Sequence, residues 1–125
     1  MTGISHVSVG VNDLARARAF YDPLMRLLGL RIRQADLESV DYGTDALSYS
    51  LETPVNGAPA TPGNGVHIAF DAGSPDTVDR FYQEALRLGA QDAGPPGPRP
   101  QYGPTYYSAF VLDPEGNKIE AVTGA

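Results

Sequence analysis

The chain has 125 residues, which suits one domain, and 42% of them are hydrophobic, which is enough to form a core. It has no cysteine, so disulfides and thiolate metal ligands are excluded, and any metal would need His, Asp or Glu ligands. The net charge of -6 argues against nucleic acid as a partner. We predict a soluble, cytoplasmic protein with no membrane partner, because the sequence has neither an apolar run of membrane length nor a signal-peptide pattern.

The first predicted elements are a strand, a helix and three shorter strands. Val7, Val9 and Val11 alternate with polar or small residues, and this period of two predicts a strand. Asn12 can cap the following helix, whose apolar residues recur at helical spacing until Gly29 provides a C-terminal stop. Three strand-like segments come next, at about residues 30–34, 38–42 and 46–51.

The same order of elements returns after a Gly/Pro-rich stretch at residues 53–64, which is typical of a linker. Alternating apolar residues predict a strand around Ile68. Ser74 and Pro75 predict the start of a second helix, which Gly89 ends. Strand-like segments then lie at about residues 90–93, 105–112 and 117–123, the last two joined by an Asp-Pro-Glu-Gly turn.

Residues 94–104 contain five prolines, and proline removes a hydrogen-bond donor from the backbone. Because proline also blocks strand pairing and lowers the entropy of the unfolded chain, we expect an unpaired but ordered, extended loop in this segment rather than a floppy one. Such a loop is either a simple connection or a lid over a pocket.

An internal repeat relates the two halves of the chain. His6 and His67 are each followed, after 14 residues, by a Phe-Tyr pair, and each pair is followed by Leu-Gly. The repeat predicts a single α+β domain of two βαβββ modules, with module one at about residues 1–52, the linker at 53–64 and module two at 65–125.

Three candidate metal ligands lie on predicted strands. Because the valines of the first strand must face the helix, His6 points to the opposite, open face, and the same argument applies to His67. In the last strand Ile119 and Ala121 can face the helix, which leaves Glu120 on the open face. If the two halves curl into one trough, two imidazoles and one carboxylate can bind a divalent first-row metal and leave positions open for a substrate.

These residues also have a plainer interpretation. A histidine on a strand is often a hydrogen-bonded residue with no metal, and repeat ancestry alone can place His6 and His67 at equivalent positions. An exposed Glu near a C-terminus is ordinary. The spacing alone leaves both interpretations open.

Recognisable motifs occupy residues 6–14 with the Phe-Tyr pair at 20–21, residues 65–70 and residues 110–120. Together they resemble the vicinal oxygen chelate superfamily, which includes glyoxalase I, extradiol dioxygenases and the bleomycin and fosfomycin resistance proteins. The resemblance covers almost the whole chain, and the Asp-Pro-Glu-Gly-Asn-Lys-Ile-Glu run is its most specific part. It implies paired βαβββ modules that form a curved, incomplete barrel around a central trough, a small-molecule substrate and a homodimer.

The resemblance implies metal ligands at His6, His67 and Glu120, with a divalent ion such as Fe, Mn, Ni, Zn or Co, and Glu120 as a catalytic base if it leaves the metal. Matching the fourth strand to the last strand puts Ser48, with Ser50 on the same face, where glyoxalase I has a fourth ligand. Serine is a poor ligand for such metals, which argues against glyoxalase I, and both serines are candidates to bind substrate. Extradiol dioxygenases use the remaining two-His, one-carboxylate set for iron, although they usually have longer chains and further acid–base residues. The bleomycin-binding branch generally lacks the ligands.

Other residues are candidates to bind substrate oxygens. Tyr49, Tyr102, Tyr106 and Tyr107 can donate hydrogen bonds from their hydroxyls, although strand tyrosines mostly pack with the hydroxyl in water. Arg99, in the proline-rich segment, can meet an anionic group, and a solvated surface arginine is the alternative.

Three functional hypotheses follow. The first is a metalloenzyme, of the lyase/isomerase or dioxygenase type, that chelates a small substrate through adjacent oxygens at a divalent metal. The second is a non-catalytic small-molecule binding protein, such as an antibiotic-binding or resistance protein. The third is a partner-binding or regulatory domain that uses exposed sheet edges.

Overall fold

The computed structural model describes residues 3–125, which form two compact units. The first unit ends at Thr61 and the second begins at Pro62. Each unit contains one helix and one four-stranded sheet in the order strand, helix, strand, strand, strand. The prediction of two βαβββ modules is therefore confirmed. Neither helix in this part of the chain has the length and apolar character that a bilayer crossing requires.

Unit 1 consists of β1 (Val7–Gly10), α1 (Leu14–Leu27), β2 (Arg31–Ala35), β3 (Ser39–Gly43) and β4 (Leu47–Glu52). The strand order in its sheet is β1-β4-β3-β2. β1 runs parallel to β4, and the other neighbours are antiparallel. The first strand therefore lies beside the last strand of its own module.

Unit 2 consists of β5 (His67–Asp71), α2 (Pro75–Arg87), β6 (Gln91–Pro98), β7 (Tyr107–Leu112) and β8 (Lys118–Thr123). Its sheet has the corresponding order, β5-β8-β7-β6, with β5 parallel to β8. The other pairs are antiparallel. The repeat seen in the sequence thus corresponds to a repeat of topology.

Both helices begin at a polar cap. Asp13 caps α1 by accepting a hydrogen bond from the Arg16 N–H, so the prediction of Asn12 as the cap is wrong by one residue. The Asn12 side chain instead forms hydrogen bonds with both the N–H and the carbonyl of Ala60. Ser74 caps α2 as predicted, and proline occupies the first helical position.

Each helix packs an apolar stripe against one face of its sheet. The buried residues of the two helices are Ala17, Phe20, Tyr21, Leu24 and Met25 in α1 and Val78, Phe81 and Ala85 in α2. Because side chains alternate along a strand, the opposite face of each sheet is free to carry polar groups.

The proline-rich segment is partly a paired strand. β6 continues to Pro98 and pairs with β7, so the expectation of an unpaired loop is wrong for residues 94–98. β6 lies at the edge of its sheet, and its register shifts between Asp92 and Gly94 and again between Gly94 and Gly97. An edge strand with such irregularities tolerates residues that cannot donate to the ladder.

The predicted hairpin between β7 and β8 is confirmed, and a buried Asp113 organises its turn. The Asp113 side chain accepts hydrogen bonds from the N–H groups of Glu115 and Asn117 and from the Asn117 amide. The Gly116 N–H donates to the Asp113 carbonyl at 2.9 Å. This turn sets the start of β8, the strand that carries Glu120.

Candidate functional site

The open face of unit 2 is formed where β5 and β8 pair. His67 pairs with Lys118, and Ala69 pairs with Glu120. Ile119 is buried on the side where β8 contacts α2, so alternation leaves Lys118 and Glu120 on the opposite face. The structure thus brings His67 and Glu120 together on one face of the sheet.

A hydrogen-bonded network joins His67, Glu120 and Tyr106. His67 Nε2 lies 3.1 Å from Glu120 Oε1, and the Tyr106 hydroxyl donates a 2.5 Å hydrogen bond to Glu120 Oε2. The Glu120 side chain is 1% exposed whereas that of His67 is 44% exposed. The hydrogen bond to Glu120, helped by desolvation, raises the pKa of Tyr106 to about 12, which keeps its hydroxyl protonated as a donor.

The separation of His67 and Glu120 fits two neighbouring ligands of one metal ion. First-row metals bind imidazole nitrogen and carboxylate oxygen at about 2.0–2.2 Å, so two such ligand atoms at right angles lie roughly 3 Å apart. The 3.1 Å between Nε2 and Oε1 agrees with that spacing. Taken separately, neither unit contains a group of three or more metal-ligating side chains among residues 3–125.

A cavity of about 320 Å³ opens beside this network. It is lined by His67, Tyr102, Tyr106, Phe110, Lys118 and Glu120. The ring centres of Tyr102 and Tyr106 are 5.3 Å apart, and those of His67 and Phe110 are 6.0 Å apart. Aromatic surface with a few convergent polar groups is typical of a small-molecule site.

Two cations lie over the Phe110 ring. Lys118 Nζ is 4.9 Å from the ring centre and Arg99 Cζ is 5.8 Å from it. Arg99 is partly committed to the fold, since its guanidinium donates a 2.6 Å hydrogen bond to the Pro95 carbonyl. Sequence reasoning missed Lys118 as a site residue, although the alternation of β8 already placed it on the same face as Glu120.

The candidate tyrosines of unit 2 separate onto different sides of the sheet. Tyr102 lines the cavity and is 63% exposed. The Tyr107 hydroxyl instead donates to Asp79 on α2 at 2.7 Å, and this hydrogen bond raises the pKa of Tyr107. Alternation therefore turns Tyr107 towards the helix, away from the Glu120 face, while the preceding Tyr106 reaches Glu120. A role of Tyr107 in binding substrate stays a prediction.

Tyr49 in unit 1 is a core residue. It is 1% exposed, and its ring centre lies 5.4 Å from that of Tyr21 and 6.5 Å from that of Tyr42. Since Tyr21 belongs to the buried stripe of α1, Tyr49 packs on the helix side of its sheet. These contacts are those of a packing residue, and a role of Tyr49 in binding substrate stays a prediction.

Strand register corrects the position assigned to Ser48. In unit 1 Ser8 pairs with Ser50, and in unit 2 Ala69 pairs with Glu120. Ser8 and Ala69 each stand two residues after the repeated histidine, so Ser50 rather than Ser48 corresponds to Glu120. Aligning the short sequences of β4 and β8 placed the counterpart of Glu120 two residues too early, because the pairing of each strand with the first strand of its module defines which residues correspond.

Ser50 has a carboxylate partner that sequence reasoning missed. It is 2% exposed, and its hydroxyl donates a 2.8 Å hydrogen bond to Asp41 Oδ1. Asp41 pairs with Ser50 across β3 and β4 and therefore shares its face. Ser48 is exposed on the same side of β4. The open face of unit 1 thus carries its carboxylate, Asp41, on β3, whereas the open face of unit 2 carries its carboxylate, Glu120, on β8.

His6 is exposed and precedes β1 by one residue. Its Nδ1 lies 3.0 Å from the hydroxyl oxygen of Ser5. An imidazole that is engaged through one ring nitrogen can still bind a metal through the other, so this contact is compatible with a ligand role.

Residues 3–121 match the sequence family described as the Glyoxalase/Bleomycin resistance protein/Dioxygenase superfamily. A glyoxalase/bleomycin resistance protein from Albidiferax ferrireducens T118 is 40% identical, with a TM-score of 0.84 over 95% of this chain and 96% of that chain. A glyoxalase-related enzyme from Fulvimarina pelagi is 19% identical, with a TM-score of 0.74 over 98% of this chain and 88% of that chain. The fosfomycin resistance protein FosX from Mesorhizobium loti is 22% identical, with a TM-score of 0.67 over 100% of this chain and 94% of that chain. The last two likenesses concern the fold alone, and no curated protein matches the chain.

Proposed function

Because this chain belongs to the Glyoxalase/Bleomycin resistance protein/Dioxygenase superfamily, we propose that it is an enzyme that chelates a small substrate through adjacent oxygens at a divalent metal. The proposed ligands are His6, His67 and Glu120, and the ion is one of Fe, Mn, Ni, Zn or Co. The observation that carries this proposal is the 3.1 Å separation of His67 Nε2 and Glu120 Oε1, which suits two neighbouring ligands.

A divalent ion held there would supply positive charge that stabilises the negative charge developing on the substrate oxygens. The chain's own residues supply position and proton transfer. Tyr106 holds Glu120 Oε2, which fixes the orientation of the carboxylate and leaves Oε1 directed at His67. Glu120 is also the proposed catalytic base if it leaves the metal, and would then accept a proton from the substrate beside its adjacent oxygens. Tyr102 and Phe110 line the cavity with aromatic surface that can contact the apolar part of a substrate.

Within this proposal the reaction is of the lyase/isomerase or dioxygenase type. A ligand set of two histidines and one carboxylate leaves open positions for two substrate oxygens. The serine at position 50 departs from the four-ligand pattern of glyoxalase I, so we favour a reaction that needs only three protein ligands. We also propose that the protein acts as a homodimer, which light scattering after size-exclusion chromatography tests directly; a monomer alone would refute the dimer.

The metal site is tested by titrating the metal-free protein with Fe, Mn, Ni, Zn and Co salts while recording binding heat and thermal stability. We expect at least one ion to bind tightly and to raise the melting temperature, because a ligand that binds only the folded state stabilises it. His67→Ala should weaken binding by more than the roughly 10–100-fold that loss of an outer-sphere partner costs.

Ser48→Ala is the matched control for this titration, because Ser48 is an exposed polar residue on an open sheet face. It should leave metal affinity unchanged. Failure of every ion to bind the wild-type protein, or unchanged affinity in His67→Ala, would contradict the proposed metal site.

The aromatic lining of the cavity favours a second candidate, a non-catalytic binding protein for small molecules such as antibiotics. Tyr102, Tyr106 and Phe110 offer stacking surface that needs no metal. Micromolar binding of aromatic ligands by metal-free protein, together with no turnover after metal addition, would support this candidate over the enzyme.

A further inference from the structure

Lys118 is the only lysine in the sequence, and it lines the cavity together with His67 and Glu120. Its Nζ lies 4.9 Å from the centre of the Phe110 ring, within the range of a cation–π contact. In the described part of the chain, no Asp or Glu oxygen lies within 4.0 Å of this ammonium. The ammonium is therefore held at an aromatic wall without a carboxylate to neutralise it.

The single carboxylate of the cavity is already engaged. Glu120 contacts His67 through one oxygen and Tyr106 through the other. Arg99 places a second positive charge over the Phe110 ring, beside the cavity. Although the whole chain has a net charge of -6, two cations, Lys118 and Arg99, stand against the one carboxylate of the cavity lining, and this local excess of positive charge favours an anionic ligand.

We propose that this cavity binds small molecules that carry a carboxylate, and that Lys118 recognises that carboxylate. The inference rests on the proposed function and names its substrate class: a compound with two adjacent oxygens and one carboxylate. One ammonium balances one singly charged group. The volume of about 320 Å³ is at the lower end of small-molecule sites, so the ligand is about the size of one ring. The three aromatic side chains of the lining suit the flat, apolar part of such a molecule.

Calorimetric titration of the full chain with catechol and with protocatechuate tests the inference. Both compounds present two adjacent oxygens on one ring, but only protocatechuate adds a carboxylate, so the ratio of their Kd values isolates the effect of the carboxylate. We expect protocatechuate to bind about fivefold more tightly, which is the effect of one partly solvated ion pair. The preference should shrink at high NaCl concentration, because salt screens such a pair.

Variants of Lys118 assign the preference to this side chain. Lys118→Met should remove the preference for protocatechuate, whereas Lys118→Arg should retain it because the positive charge remains. Arg87→Met is the control, since Arg87 is an exposed cation on α2 that pairs with Glu84 outside the cavity lining. It should leave both Kd values unchanged.

Equal affinity for the two compounds in the wild-type protein would overturn the inference, as would a preserved preference in Lys118→Met or no binding of either compound. Metal titration of the same preparation reports separately on the proposed function. A protein that binds metal without preferring protocatechuate refutes only the carboxylate class. A preference that depends on Lys118 in a preparation that binds none of the metals supports the carboxylate site and refutes the proposed metal site.

The single lysine also permits a direct measurement. Reductive methylation with carbon-13 formaldehyde labels Lys118 as the only side-chain amine and preserves its charge. Its NMR signal should shift on addition of protocatechuate and move less on addition of catechol. The same response to both compounds would contradict a contact between Lys118 and the carboxylate.

Discussion

The open faces of the two sheets share one backbone arrangement but carry different chemistry. In each sheet the last strand pairs with the first, and the residue that pairs two positions after the repeated histidine is Ser50 in unit 1 and Glu120 in unit 2. Ser50 donates its hydroxyl to Asp41, whereas Glu120 accepts from Tyr106 and contacts His67. Both side chains are almost fully buried. The repeat thus preserves strand register and helix packing, while one difference at a matched position decides whether the residue beside the first strand is a buried acidic or a buried neutral group.

The shared framework predicts similar losses of stability when matched core residues are truncated. Phe20 and Phe81 are 2% and 0% exposed and hold the same place in the two repeats. Phe20→Ala and Phe81→Ala should each lower the free energy of unfolding by about 3–5 kcal/mol, through lost apolar contact and a cavity. Equilibrium urea unfolding measures this, with the exposed Gln83→Ala as control. A much smaller loss at one position would show that the two helices are not packed alike.

The difference between the faces predicts unequal effects on metal affinity. Glu120→Gln keeps the shape of the side chain but removes its charge, so metal affinity should fall by more than about 100-fold, beyond the loss of an outer-sphere partner. Ser50→Ala should leave metal affinity unchanged and lower the free energy of unfolding by about 1 kcal/mol, because Asp41 loses a hydrogen bond. Calorimetric metal titration and urea unfolding separate the two effects. Equal losses of metal affinity in Glu120→Gln and Ser50→Ala would contradict the proposal that Glu120, but not Ser50, is a metal ligand.

The smallest expected effect concerns alkaline pH, where the two faces differ because the Glu120 network includes a tyrosine hydroxyl and the Ser50–Asp41 pair does not. The Tyr106 pKa is raised to about 12, from an ordinary value of about 10. Since the folded state holds the proton more tightly, this contribution to stability is present below about pH 10 and is lost as the pH rises through about 12. The difference in phenolate absorbance between the metal-free wild type and Tyr106→Phe should show a single titration near pH 12. Titration near pH 10 would mean that the contact with Glu120 is absent in solution.

Much of the fold could be predicted because its signals are local. The period of two in β1 and β5, the Ser74 cap and the Asp-Pro-Glu-Gly turn each depend on a few neighbouring residues. The alternation of β8 was enough to place Glu120 on the open face. Local patterns were insufficient where a neighbour distant in sequence decides the position of a residue or the end of a strand. The end of β6 depends on its edge position beside β7, and the place of Tyr107 depends on Asp79 of α2.

The sequence alone predicted the two-module architecture, the equivalent positions of His6 and His67 in the repeat and the residue types available for chemistry. It could do so because periodicity and repetition are properties of the chain alone. Contacts between distant segments show that Ser50 is the counterpart of Glu120 and that Tyr106 rather than Tyr107 holds the Glu120 carboxylate. They also place Lys118 at the cavity with no acidic partner among residues 3–125. The physical reason is that register and contact across strands arise from hydrogen bonds between segments far apart in sequence, which no local pattern encodes.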